Sequence, residues 1–583
     1  MRTSTLKYLY LQKPVTMVVV LCILSVLPWL GLGEFYTKGE PREASVAVSM
    51  IESSNWILPE VYANEVAYKP PMMHWLISIF SYPQGYVSEF TSRLPSALAL
   101  IAMVAFALIF FGKRVKFQQA FIAALLLITA FETHRAGMTA RVDMLLSCFM
   151  FIGMIQLFRW EEKQELKGLP ILIPLLLSCA VLTKGPVGVL LPLLVFGIYL
   201  FVLGYPLQRI LKALFYAGFS SLFIPFIWYY SAWEKGGTDF LNIFLAENFG
   251  RFFSSNPDSI SYTLGHEKPF YYNFLSLLGG FMPWTIMLFF SLFGIHYARL
   301  TNTIPEWFKN IRENIKQTDK IKLFSTIAIL VIFIFYTIPS SKRSVYLLPM
   351  YPFLALYISQ YFIYITEYRT FVTRAFAAFM SIISGMTLIA IIASYFGLFN
   401  ISHFIESFTR DPKTLFEMFA VNDSLQKPDA ISWTIFILLL GTFITLIYEL
   451  SKKNNLKILY ATIALTFVIN LFIDGDVMRP IKNATSLKGF TERIQTEYPL
   501  KDNLYTVNNL LRYQNIYALN FYSGNELKSI VLDNPQNGYF IIGNKDFEKV
   551  RKDFPQYQFS AIDSTTTPFN EIEQTVVLYQ FSK

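Results

Sequence analysis

Long apolar runs recur along this chain of 583 residues, and they restrict the folds open to it more than any other feature. We count about thirteen runs of roughly 20 residues, the length that an α-helix needs to cross a bilayer. With 54% apolar and 15% charged residues, the sequence is too hydrophobic for a soluble protein. It therefore predicts an all-α polytopic membrane protein, with transmembrane helices at about 14–33, 94–111, 117–133, 142–158, 169–183, 186–203, 211–230, 272–295, 323–339, 345–365, 374–398, 431–449 and 456–473.

The short loops predict how these helices are oriented. Lysine and arginine residues cluster on alternate connections, on the same side as Lys13. By the positive-inside rule, this side and the N-terminus are cytoplasmic. The external side then holds residues 34–93, 231–271 and 340–346, and everything after Asp474. The net charge of +9 comes mainly from the cytoplasmic loops, so it predicts no nucleic-acid partner.

The chain divides near Asp474 into two parts. Residues 1–474 hold the apolar runs, and residues 475–583 have the composition of a small soluble domain. In this tail, β-branched and aromatic residues predict five strands, and the segments between them predict two helices at 508–523 and 545–554. We therefore expect an external α/β domain without catalytic residues, its strands at 503–507, 528–532, 539–544, 558–562 and 575–581.

The first external loop, residues 34–93, carries charge that packing does not require. Pro41 suits the first position of a helix, and the apolar spacing behind it predicts a short amphipathic interfacial helix over 41–52. Glu40 lies at its N-terminus, where the helix dipole and Arg42 favour the ionised carboxylate. Such a carboxylate can accept a proton from, or orient, an attacking hydroxyl or amine. A helix-capping glutamate beside a solvated arginine explains the same pattern.

Lys69 is the second candidate of this loop. Because it precedes Pro70 and Pro71, its backbone is held extended and stiff, so its ammonium is presented from a rigid segment. A lysine snorkelling at the start of a juxtamembrane helix over 72–81, with Trp75 as an interface anchor, is the alternative.

Two ionisable residues lie at the external ends of apolar runs. Asp143 lies at the mouth of a span, where a charge indicates a functional or a paired group, and Arg135 and Arg141 are possible structural partners. Lys184 precedes the Gly185 turn, where a lysine caps a helix about as often as it binds a ligand.

The remaining external candidates are mostly cationic. Lys342 and Arg343 run against the positive-inside bias, so we expect them to have a partner, and a lipid phosphate would be one. Arg251 and His266 belong to the long external loop, where a lone histidine is usually an ordinary surface residue.

Seven short motifs follow one another in a characteristic order. Together they resemble the bacterial aminoarabinose (4-amino-4-deoxy-L-arabinose) transferase family, within the dolichyl-phosphate-mannose protein mannosyltransferase superfamily. The resemblance covers about residues 30–365, and the ordered set is more specific than any of its members. The motifs are GEPREA (39–44), YKPP (68–71), ARVDMLL (140–146), LTKGPVG (182–188), ENFGRF (247–252), HEKPFYYNF (266–274) and SKRSVYLLPMYP (341–352).

This resemblance implies a C-type glycosyltransferase-like fold and transfer of a sugar, with inversion, from an undecaprenyl-phosphate carrier. The acceptor would be lipid A or a related envelope glycolipid, at the outer face of the bacterial inner membrane. No cofactor beyond the lipid-linked sugar is implied, and a divalent metal stays open. The implied residues are Glu40 and Asp143 as catalytic carboxylates, Lys69, Arg42, Arg251, Lys342, Arg343 and Tyr346 for the donor phosphate, and Tyr68, His266 and Lys184 for substrate.

The chain departs from the family pattern at three positions. Gly39 stands where the family has the first residue of an Asp-Glu pair, Glu43 where a tyrosine is usual, and Tyr68 where a glutamate precedes the Lys-Pro. The departures leave open whether Glu40 or Asp143 is the base, and which acceptor is used.

Two other functions remain open at this point. The same chemistry could act on a protein acceptor. A transporter or flippase that binds a lipid phosphate without reacting would instead place charged or broken segments near the bilayer midplane in both halves, whereas these charges gather at one face.

Overall fold

The computed structural model describes residues 12–62, 65–67, 69–245, 267–293, 318–507, 513–569 and 572–583. The described residues between 14 and 472 are mainly helical, as the apolar runs predict. The helices of this part, numbered in chain order, are α1 Pro14–Val26, α2 Gly39–Ser53, α3 Met72–Ser81, α4 Glu89–Phe111, α5 Phe117–Thr129, α6 Phe131–Gly137, α7 Val142–Gln164, α8 Leu172–Lys184, α9 Val187–Val202, α10 Leu207–Leu245, α11 Tyr272–Gly280, α12 Trp284–Leu292, α13 Lys320–Thr337, α14 Tyr351–Tyr368, α15 Thr370–Tyr395, α16 Ile401–Glu406, α17 Pro412–Gln426, α18 Ala430–Lys452 and α19 Asn455–Phe472.

Each of the thirteen predicted segments contains a helix, which confirms the fold class. In the described part of the chain, seven helices are long and apolar enough to cross a membrane, or nine if each of two bent pairs forms one span. The bent pairs are α5 with α6, at 63°, and α11 with α12, at 105°. The number of crossings therefore stays a prediction.

The first external loop forms the two helices that the sequence predicts. The predicted helix over 41–52 is α2, which begins two residues earlier at Gly39, and the predicted helix over 72–81 is α3. An interfacial helix would keep one face exposed, yet ten of the fifteen residues of α2 are buried. The reason is that α2 packs on α3 and α4 on one side and on the C-terminal domain on the other.

The tail forms the predicted α/β domain. Its five strands are β3 Leu504–Thr506, β4 Lys528–Ser529, β5 Asn537–Gly543, β6 Gln558–Ser564 and β7 Val576–Ser582. They form one sheet in the order β4-β3-β5-β7-β6, in which β3 runs parallel to β4 and β5, and β7 runs antiparallel to β5 and β6. A π-helix, Ile473–Met478, connects the last membrane helix to this domain. Its elements are α20 Arg479–Ala484, α21 Lys488–Glu497, β3 Leu504–Thr506, α22 Tyr517–Tyr522, β4 Lys528–Ser529, α23 Ile530–Asp533, β5 Asn537–Gly543, α24 Phe547–Asp553, β6 Gln558–Ser564 and β7 Val576–Ser582.

Four of the five predicted strands are present, and of the predicted strand 528–532 only Lys528–Ser529 is extended, because Ser529 caps the helix α23 that begins at Ile530. The two predicted helices are shorter than expected. Within the predicted helix over 508–523, α22 occupies the last third, and residues 508–512 lie outside the described residues. The second, over 545–554, is α24.

The tail holds the first loop through a shared apolar cluster. A two-stranded ribbon, β1 Glu60–Val61 and β2 Glu65–Val66, follows α2 and lies against the tail. The Tyr62 ring lies 5.1 Å from the Tyr517 ring, and the Tyr62 hydroxyl accepts a hydrogen bond from the Ile516 N–H at 3.0 Å. Both Tyr62 and Ile516 are 1% exposed, so the loop and the tail share a closed interior.

Tyr62→Phe should destabilise the protein by about 1–3 kcal/mol, because it leaves the buried Ile516 N–H without an acceptor. The measurement is the midpoint of thermal unfolding in detergent. Tyr498→Phe is a matched control, since the half-buried Tyr498 hydroxyl makes no hydrogen bond within the described ranges. Equal midpoints for the two variants would contradict the proposed contribution of this contact.

Candidate active site

A cavity of about 330 Å³ opens at the end of the molecule where α7 begins and α8 and α13 end. We call it the outer cavity, because the basic loops predict that this end faces outward. Two strips of chain, from the HEKPFYYNF and SKRSVYLLPMYP motifs, close one side of it. Its lining consists of Thr37, Arg135, Ala136, Thr139, Arg141, Asp143, Met144, Lys268, Tyr272, Lys342, Arg343, Ser344 and Val345.

Asp143 is the one carboxylate in this lining, among the residues that the structure describes. It lies in the first turn of α7 and is 4% exposed. The ammonium of Lys184, the last residue of α8, donates a hydrogen bond to Asp143 Oδ1. The same ammonium lies 4.3 Å from the centre of the Tyr346 ring. The fold therefore assembles three predicted site residues that lie far apart in the chain.

The hydrogen-bond partners of Lys342 are backbone carbonyl groups. The Lys268 N–H donates to the Ser340 carbonyl at 3.1 Å, which sets the two strips side by side. The buried Lys342 ammonium then donates to the carbonyls of Lys268, at 3.1 Å, and Pro339, at 2.6 Å. An ammonium has three donor hydrogens, so one is left to point elsewhere. Arg343 follows on the cavity wall.

Glu40 is engaged in a buried ion pair with Arg93 of α4. Its Oε1 lies 2.8 Å from Arg93 Nε and also accepts from the Ala140 N–H at 3.1 Å, while its Oε2 accepts from Arg93 Nη2 at 3.4 Å. Burial alone would raise the pKa of Glu40, but the Arg93 guanidinium holds it below its usual range. Both oxygens of Glu40 accept hydrogen bonds. This geometry favours a structural role for Glu40, which links α2 to the membrane helices, over a role as the catalytic base.

Glu43 is the centre of a second cluster. The sequence indicated this residue only as a departure from the family pattern. Its buried carboxylate accepts hydrogen bonds from Arg42 Nη2 at 2.8 Å, Lys69 Nζ at 3.2 Å and His74 Nε2 at 2.7 Å. Burial alone would raise the pKa of Glu43, but Lys69 and Arg42 hold it well below its usual range. The sequence signal for this cluster is weak, because only the position of Glu43 on the face of α2 that carries Gly39 points to it.

Among the cations of this cluster, Lys69 has the most strongly shifted pKa. Its side chain is 29% exposed. Burial of the ammonium and the positive charge of Arg42 lower the pKa of Lys69 to about 7, although the Glu43 carboxylate acts in the opposite direction. Lys69 therefore changes its charge near neutral pH, which an ordinary surface lysine does not.

Gly39 leaves room for the Arg141 side chain. A Cβ atom at position 39 would overlap the Arg141 guanidinium, which occupies the space that any side chain there would need. Arg141 also lines the outer cavity. Where the family has a carboxylate, this protein therefore has the end of an arginine.

Other predicted residues lie outside the cavity lining or outside the described residues. Arg42 and Lys69 belong to the Glu43 cluster, and Tyr346 lies beneath Lys184. Tyr68, Arg251 and His266 fall in segments that the structure does not describe. Within the described ranges, no group of three His, Cys, Asp or Glu side chains is arranged to hold a metal ion.

Comparisons with known proteins show what the chain is similar to. The family described as "Dolichyl-phosphate-mannose-protein mannosyltransferase" matches residues 68–230. An undecaprenyl phosphate-alpha-4-amino-4-deoxy-L-arabinose arabinosyl transferase of Wigglesworthia glossinidia brevipalpis is 23% identical over 356 residues, which are 59% of this chain and 58% of that protein. An uncharacterized protein of Aquifex aeolicus is 27% identical over 336 residues, 56% of this chain and 59% of its own. The chain thus spans less than two thirds of the length of these relatives.

The fold extends the similarity to nearly the whole chain. The crystal structure of ArnT from Cupriavidus metallidurans bound to undecaprenyl phosphate superposes with a TM-score of 0.67 over 98% of both chains, at 16% identity. The chain is thus similar in sequence to aminoarabinose transferases and shares the fold of one of them.

The variants Glu40→Gln and Arg93→Met should each destabilise the protein, because either one leaves a buried charged group without its partner. Breaking a buried ion pair from one side costs about 3–5 kcal/mol. The double variant should lose less than the sum of the two, as measured by thermal unfolding in detergent. If Glu40→Gln instead abolished activity at an unchanged unfolding midpoint, the structural role of Glu40 would be refuted.

Proposed function

We propose that this protein is an inverting glycosyltransferase that moves a sugar from an undecaprenyl-phosphate carrier to lipid A or a related envelope glycolipid. The observation that carries the proposal is the outer cavity, where one carboxylate faces several cations at a membrane-proximal end. The relatives named as arabinosyl transferases and the fold shared with ArnT support it. We place the protein in the bacterial inner membrane, with the N-terminus in the cytoplasm and the outer cavity and tail in the periplasm.

The cations suit the departure of a phosphate. In the transfer, the bond between the anomeric carbon and the phosphate oxygen breaks, and its electron pair stays on the phosphate. Negative charge therefore grows on the phosphate in the transition state, and fixed positive groups stabilise that charge. Arg343, Lys342 and Arg141 on the cavity wall, with Lys69 next to it, are the groups that we assign to this role.

Asp143 is the residue that we assign to activating the acceptor. The acceptor oxygen forms the new bond to the anomeric carbon, and its proton passes to a carboxylate. Lys184 occupies Asp143 Oδ1, and no hydrogen bond in the described part of the chain engages Oδ2. A single displacement of this kind inverts the anomeric configuration. One well-placed base contributes on the order of 100- to 10,000-fold to the rate.

Asp143→Asn should lower the transfer rate by about 100- to 10,000-fold, because the amide keeps the shape of the carboxylate but cannot take the proton. Purified protein, radiolabelled undecaprenyl-phosphate sugars and an envelope lipid extract provide the assay. Glu161→Gln is the matched control: Glu161 is a buried carboxylate paired with Lys320 at 2.9 Å, at the other end of the same helix. It should keep the activity of the wild type.

The same assay separates the alternatives. Full activity in Asp143→Asn would refute its role as the base. Label recovered in protein rather than lipid would favour a protein acceptor. A donor that binds, without label reaching any acceptor, would favour the flippase.

Lys69 predicts a pH dependence of donor binding. Its pKa of about 7 means that the ammonium is charged below neutral pH and loses its charge above it. The donor phosphodiester keeps one negative charge throughout, so the apparent donor affinity should fall above pH 7, by up to about tenfold per pH unit. Lys69→Arg should remove this dependence, since arginine stays charged.

The readout is the Michaelis constant for the donor between pH 6 and 9. A pH dependence that persists in Lys69→Arg would assign the titration to another group. A donor affinity unchanged by Lys69→Ala would refute the role of Lys69 in binding phosphate.

A further inference from the structure

Position 39 and position 43 lie one helical turn apart on α2, so their side chains point from the same face. The family carboxylate is missing at Gly39, and the guanidinium of Arg141 fills the space beside it. One turn later, where the family has a tyrosine, Glu43 supplies a carboxylate. On this face of α2, the buried carboxylate of Glu43 therefore lies one turn from the Arg141 guanidinium.

The contacts of Glu43 come from three separate parts of the first loop. Arg42 is its neighbour on α2, Lys69 lies on the stiff Lys-Pro-Pro strip, and His74 lies on α3. Both Glu43 and His74 are at most 2% exposed. The three donors hold the buried carboxylate in one orientation, and the carboxylate in turn restrains the positions of the three donor groups.

We propose that Glu43 is the positioning residue that fixes the place and the charge of the Lys69 ammonium for the donor phosphate. The proposal rests on the proposed function, because it presumes that Lys69 binds that phosphate. Glu43 itself touches no substrate in this scheme. It leaves the acceptor proton to Asp143.

The charges around Lys69 explain why it needs such a residue. Arg42 on α2 and Arg141 before α7 both act against a charged Lys69, and burial acts in the same direction. Glu43 opposes all three through its charge and its hydrogen bond. His74 donates to the second oxygen of Glu43, and Glu65 on β2 adds a more distant carboxylate. Without Glu43, Lys69 would be neutral or displaced at neutral pH.

Glu43→Gln is the direct test, with the Michaelis constant for the donor and its pH profile as readouts. For a shift of one pKa unit in Lys69, we expect the constant to rise by about fivefold near pH 7 and by up to about tenfold at higher pH. The turnover number should change little. The pH at which donor affinity is lost should move lower, because removing the negative charge makes Lys69 easier to deprotonate.

A double variant and a matched control make the test specific. In Glu43→Gln with Lys69→Arg, the arginine stays charged without help, so donor affinity should recover. Glu161→Gln removes a buried carboxylate from a lysine at the other end of α7, about 27 Å from Asp143 at ~1.5 Å per residue, and should leave the pH profile unchanged.

The outcomes separate this proposal from the proposed function. If Lys69→Ala weakens donor binding while Glu43→Gln leaves the constant and its pH profile unchanged, the positioning role is overturned and the proposed function stands. If neither variant affects the donor, the phosphate role of Lys69 fails as well. Should Glu43→Gln not fold, Glu43→Asp decides, because it keeps the buried charge but shortens its reach. An unchanged donor constant in that variant overturns the proposal.

Discussion

The buried carboxylates of α2 are the constraint on which the rest of the site depends. Two glutamates of one short helix are almost fully buried, and each is stable there only because cations from other elements meet it. Arg93 ties Glu40 to the membrane helices, and Lys69 and His74 tie Glu43 to the following segment. The first loop therefore cannot move away from the helices without exposing unpaired charges.

The C-terminal domain completes this arrangement from the other side. It carries no residue that we assign to chemistry, yet it closes the apolar cluster above α2 and receives the ribbon that follows it. Glu65 of that ribbon accepts a hydrogen bond from Asn515 at 2.9 Å, far along the chain. The tail thus packs on the first loop and stabilises its position beside the membrane helices.

The site combines an acidic group and basic groups with separate tasks. Asp143 and Lys184 meet at the cavity wall, where the lysine also contacts the Tyr346 ring. Lys342 is held by carbonyl groups, so its position is set by the backbone of two adjacent strips. The Glu43 cluster lies next to this wall, through Arg141.

Local pattern determined much of this protein. The apolar runs specify the helices, Pro41 and the spacing behind it specify α2, and β-branched content specifies the strands of the tail, because each of these signals acts over a few adjacent residues. The ordered motifs indicated Asp143, Lys184 and Lys342 as residues of one face. They did not reveal what each residue contacts.

Only the tertiary structure decided the pairings. Asp143 and Lys184 are 41 residues apart, and Glu43 and His74 are 31 apart, so neither contact follows from local periodicity. The same holds for the ion pair that engages Glu40, which the sequence suggested as a base, and for the guanidinium that fills the space at Gly39. Whether a buried charge serves structure or chemistry depends on which partner the fold brings within hydrogen-bonding distance, and that depends on packing between distant segments.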